Sequence, residues 1–106
     1  EISACLVGSE MCIRDSFDFA ETIFDVLESH VVTLTKKTED KGVRLTFPDM
    51  PYLIVWSKPE GDFVAVEPWG GLSTCSDEDD ILEHKRGCLV AKPGETVTRG
   101  FEIEIL

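Results

Sequence analysis

The 106 residues leave room for one domain at most. With 42% apolar content, mean hydropathy of −0.01 and no run near the roughly 18 apolar residues of a membrane helix, a multidomain chain and a helical membrane span are excluded. Twenty-one acidic residues against 10 basic ones give a formal net charge of −11. A surface of that sign repels phosphate backbones, so nucleic acid is not an expected partner, whereas a small uncharged metabolite is not penalised.

Residues 1–16, EISACLVGSEMCIRDS, hold neither a sustained helical period nor a strand alternation. The stretch CLVGSEMCIRDS resembles the translation of a sequencing-adapter read-through, which sets residues 1–16 apart as an artefactual segment and leaves 17–106 as the domain to be read. Two of the four cysteines, Cys5 and Cys12, fall in that segment. The others, Cys75 and Cys88, have neither CxxC spacing nor a histidine cluster beside them, so neither a zinc site nor a disulfide framework is expected. Two scattered cysteines suit a reducing cytoplasm.

The segment Glu21–Glu28 puts Ile23, Phe24 and Leu27 on one side of a helical turn, but it is too short to favour helix over strand or loop. From there on, short strands alternate with turns. His30–Thr35 is the first, ended by the turn KTEDKG; Val43–Phe47 follows, with Val43, Leu45 and Phe47 on one face and Arg44 and Thr46 on the other. The continuous apolar run Tyr52–Ser57 predicts a strand covered on both faces. Phe63–Glu67 then places Phe63, Ala65 and Glu67 on one side, which puts a carboxylate on a largely apolar face, and Pro68 is expected to stop the ladder there.

After the long loop PWGGLSTCSDEDD, a strand is predicted at Gly87–Ala91 and a type II turn at 92–95, LysProGlyGlu. The last strand, Arg99–Leu106, alternates Phe101, Ile103 and Ile105 with Glu102 and Glu104, the pattern of a strand buried on one face. Together these predict an all-β chain, an antiparallel β-sandwich.

The block PYLIVWSKPEGDFVAVEPWGG, followed by CLVAKPGETVTRGFEIEI, resembles the C-terminal region of aldose 1-epimerases (galactose mutarotases), with GluProTrp at 67–69 as its most specific element. The resemblance runs from about Phe17 to the end and implies part of a larger antiparallel supersandwich whose concave face holds an aldohexose. It implies interconversion of α and β anomers: a glutamate takes the proton of the anomeric hydroxyl, a histidine protonates the ring oxygen, and the ring opens and recloses. No cofactor and no metal are implied. Glu67 stands at the position of that glutamate; the matching histidine lies upstream of Phe17, and Ile54 stands where many galactose mutarotases carry a sugar-contacting glutamine.

Trp69 and Trp56 are the candidate substrate-binding residues, as aromatic faces on which a sugar ring can stack. His30 and His84 read as surface residues, and the DEDD run at 77–80 as a solvated acidic loop, since it lacks the ligand spacing and central glycine of a calcium loop. A noncatalytic carbohydrate-binding sandwich, with Glu67 only hydrogen-bonding hydroxyls, is the alternative expectation.

Overall fold

The run YLIVW forms a strand at the centre of a small sheet, which is why it is apolar without alternation: both of its faces are covered. In the computed structural model, backbone is described for residues 2–6 and 9–12, and residues 21–58 and 60–106 are described in full. Strands in chain order are β1 (Ile2–Leu6), β2 (Ser9–Cys12), β3 (Glu21–Phe24), β4 (Val31–Lys36), β5 (Gly42–Thr46), β6 (Tyr52–Trp56), β7 (Ala65–Trp69) and β8 (Glu102–Ile105), and a 3-10 turn lies at Leu82–His84. They form a three-stranded sheet, β3-β6-β7, and a five-stranded one, β2-β1-β4-β5-β8, in which every pairing is antiparallel. The all-β antiparallel expectation holds.

Strand alternation decides what the small sheet buries. Leu53 and Val55 of β6 turn one way and join Val32, Leu45 and Phe47 in the core, with Phe24, Leu34, Val64 and Val66 packed at its margin. The two sheets thus share one apolar layer, and each large side chain fully buried there contributes about 1.5–3 kcal/mol relative to exposure. Ile54, between Leu53 and Val55, turns the other way and is also fully buried.

Glu21–Phe24, left open by local pattern, is a strand, because the edge of β6 offers its backbone a ladder that an isolated helical turn lacks. Three local expectations change. β7 begins at Ala65 and runs through Pro68 to Trp69; Pro68 pairs with Leu53. Because β7 is an edge strand, the missing N–H of Pro68 costs no ladder bond when it faces away from β6. Gly87–Ala91 is not a strand: Gly87 has φ of 70°, and Leu89 and Val90 are exposed. Finally, β8 is confined to Glu102–Ile105 on β5, and its apolar face stays open, with Ile105 78% exposed, because β8 lies at the edge of five strands opposed by only three.

The turn at 92–95 forms as predicted: the Glu95 amide donates to the Lys92 carbonyl at 2.9 Å, and Gly94, at the third position, has φ of 81°. In the segment set apart at 1–16, β1 and β2 form a hairpin whose β1 pairs with β4. The edge of β4 presents backbone donors and acceptors that any extended segment can satisfy, so this pairing does not depend on the segment's origin.

Candidate functional site

The β6–β7 register assembles the site. Ile54 pairs with Glu67, Trp56 with Ala65 and Tyr52 with Trp69. Directly opposed residues share a face, so Tyr52, Ile54, Trp56, Ala65, Glu67 and Trp69 all lie on the side of the small sheet away from the shared core. The two indoles thereby flank Glu67, one diagonally across the ladder and one two residues along its own strand.

Both reach it. The Trp56 Nε1–H donates to Glu67 Oε1 at 2.6 Å and the Trp69 Nε1–H donates to Oε2 at 3.0 Å. All three side chains are half-buried. Hydrogen bonds to a charged acceptor contribute about 1.5–3 kcal/mol each, more than neutral ones. Since an ionised carboxylate offers about four acceptor sites, the indoles fix its plane while using one on each oxygen. The cross-strand partner Ile54 has no donor to give and serves as the apolar floor.

Trp56 is itself held. The Phe63 ring meets it edge-on, with centroids 5.2 Å apart and planes at 87°. The Ser57 hydroxyl donates to the Phe63 carbonyl at 2.6 Å, tying down the segment that delivers Phe63. A Cβ at Gly61 would come within 2.7 Å of the Phe63 ring, so this turn needs glycine for the ring to lie where it does.

At the other end of β7, Arg99 Nη1 donates to the Gly70 carbonyl at 2.8 Å, and a side chain at Gly70 would collide with that guanidinium. Gly87 closes against the same place: a Cβ there would fall 2.8 Å from the Tyr52 ring and 3.0 Å from the Gly70 carbonyl oxygen. The GlyGly pair at 70–71 marked this corner in the sequence. Nothing local announced Arg99, which comes 29 residues later.

Neither histidine meets the carboxylate. His84 is exposed and pairs with Asp79, Nδ1 to Oδ2 at 2.6 Å. His30 is half-buried rather than on the surface, because its ring packs against core Phe47 with centroids 5.8 Å apart. The acidic run is internally bonded as well as solvated: Arg86 Nη2 donates to both oxygens of Asp77, and the Cys75 amide donates to Glu78 at 3.1 Å, with Lys85 beside it. The Cys75 amide first, then the Arg86 amide and the Lys85 charge, hold Glu78 below the usual carboxylate range; His84 does the same for Asp79. Among the described residues no cluster of three or more His, Cys, Asp or Glu is placed to hold a metal ion. Cys75 and Cys88 are free thiols.

No protein-family model and no solved structure matches the chain. Two curated relatives do: the plasmid and the chromosomal Protein LacX of Lactococcus lactis subsp. lactis, each 42% identical over 83 residues. The match takes in 77% of this chain but spans only 28% of the length of either relative. The chain is thus homologous to one part of a LacX protein.

Proposed function

We propose that residues 17–106 are the C-terminal part of an aldose 1-epimerase, with Glu67 as the general base and Trp69 and Trp56 as the aromatic walls of the sugar subsite. The observation that carries this is the half-buried Glu67 carboxylate, held by two indole N–H donors on the face of the sheet that the core does not use. A carboxylate so fixed keeps acceptor capacity for a hydroxyl proton, which is the demand that anomeric ring opening makes on a base. The resemblance of the EPW region to mutarotases supports the same reading, and the match to 28% of the length of the LacX proteins supports a chain that is one part of a longer protein.

In the proposed reaction Glu67 takes the proton of the anomeric hydroxyl, the electron pair forms the carbonyl at C1, and the bond from C1 to the ring oxygen breaks as that oxygen is protonated. Rotation about the bond from C1 to C2 and the reverse steps give the other anomer. The proton donor is assigned to the longer protein, since His30 and His84 are engaged with Phe47 and Asp79. The substrate is a free aldose, and no cofactor takes part.

Polarimetry on a full-length protein carrying this chain tests the proposal. Wild type accelerates mutarotation of an aldohexose, and Glu67→Gln lowers the rate by about 10²–10⁴-fold, the usual contribution of a general base. An unchanged rate in Glu67→Gln would overturn the assignment. Sugar binding by the wild type with no anomerisation would favour a carbohydrate-binding module instead.

A further inference from the structure

We infer that Trp56 and Trp69 are positioning residues that act through Glu67, their indole N–H groups fixing the carboxylate's orientation in addition to whatever their rings contact. The inference deepens the epimerase proposal and takes Glu67 as base from it, but its structural half stands independently.

Register makes the arrangement possible. A cross-strand neighbour is the usual place for a group that orients a strand carboxylate, and here that place is filled by Ile54, which offers no donor. The donors come instead from the two flanking positions on the same face: Trp56, two residues further along β6, and Trp69, two residues further along β7. Trp56 is a diagonal neighbour across the ladder and Trp69 the next same-face position on the strand itself, and both lie within the span of a large aromatic side chain.

Each indole takes a different oxygen, at 2.6 and 3.0 Å, so rotation of the carboxylate about its last bond breaks at least one hydrogen bond. A single donor would leave that rotation open; two on separate oxygens close it. Trp is also suited to the task because its N–H can only donate, so it binds the ionised carboxylate without competing for the substrate's proton. The edge-on Phe63 packing of Trp56 and the glycine-dependent turn at Gly61 keep the shorter bond in register from behind.

A residue that orients a base without touching the reacting atoms affects the rate of proton transfer more than substrate affinity. Trp56→Phe keeps an aromatic ring beside Phe63 and removes the N–H together with the second ring of the indole. In a full-length protein the expected result is a fall in kcat of about tenfold to a hundredfold with KM changed far less, the scale of loss when a reacting group is slightly misplaced. A rise in KM at constant kcat would instead make Trp56 a plain sugar contact and overturn the positioning role.

The decisive readout needs no activity. The chain holds two tryptophans, so its proton–nitrogen correlation spectrum contains two indole N–H signals. Both are expected to move along one common sigmoid as acid protonates Glu67, and both are expected to lose that response in Glu67→Gln. Indole signals that ignore pH, or that follow two different curves, would overturn the inference even if the epimerase proposal holds; a shared titration upholds the clamp even if mutarotation is never found.

Discussion

Leu53 and Ile54 are neighbours on β6 and both are fully buried, yet they are buried in opposite directions. Leu53 enters the layer shared with Val32, Leu45 and Phe47, whereas Ile54 lies under the face that carries Trp56, Glu67 and Trp69. One face of the small sheet, apolar except at Thr22, joins the two sheets. The other places a charged acceptor between two donor-only aromatics. A strand's two-residue period lets five consecutive residues serve stability and chemistry at once, and it predicts that substitutions at alternate positions separate the two.

The largest expected effects should diverge. Glu67→Gln removes about 10²–10⁴-fold of the rate proposed above and, since one amide oxygen replaces two acceptors for the indole donors, costs about 1–3 kcal/mol of stability. Leu53→Ala costs about 2–5 kcal/mol of stability by urea denaturation, because the rigid layer around it cannot fill the cavity, and the folded fraction keeps its turnover. If both substitutions changed both properties equally, the division between faces would fail.

Gly87 offers a test at the corner of the site. With φ of 70° and Tyr52 and the Gly70 carbonyl within 3.0 Å of any added Cβ, Gly87→Ala should cost more than the roughly 1–2 kcal/mol of left-handed backbone alone. Gly94→Ala supplies the comparison, since its φ is 81° and nothing lies within 4 Å, so it carries only the backbone cost. Equal losses from the two in thermal melts would mean that the corner has room to spare.

Ile54→Val probes the boundary between the two faces. It should cost about 0.5–1.5 kcal/mol, as buried methylene deletions do, and lower turnover by less than tenfold, because the floor beneath Glu67 loosens without losing a hydrogen bond. The smallest effect belongs to the acidic loop. Glu78 and Asp79 are held below the usual carboxylate range by the Cys75 amide and by His84, so their contribution is fully present at neutral pH and disappears as the pH falls through their lowered folded values. A small decline in the melting temperature between about pH 5 and pH 2 that is absent in Glu78→Gln/Asp79→Asn is the expected result.

Much of this was legible from local pattern. The apolar run YLIVW announced a strand covered on both sides, and the alternation of Ala65 and Glu67 put the two on one face, which the register extends to Trp56 and Ile54. LysProGlyGlu carried its turn in its residue order. What could not be read locally depends on register or on neighbours. The bond from Trp56 to Glu67 requires β6 and β7 to pair Ile54 with Glu67, and one residue of slip would turn the indole to the opposite face. Pro68 was expected to end β7, because being an edge strand is a property of the sheet rather than of the residue. The pattern around Ile103 and Ile105 correctly gave a strand with one apolar face, but no alternation can say whether a second sheet extends far enough to cover it.

The most direct test of the central claim is a crystal structure of the full-length protein with a bound aldohexose. The anomeric oxygen should lie within about 2.6–3.2 Å of a Glu67 carboxylate oxygen, with Trp56 and Trp69 still donating to that carboxylate. A sugar bound with its anomeric carbon turned away from Glu67, or on the opposite face of the small sheet, would contradict it.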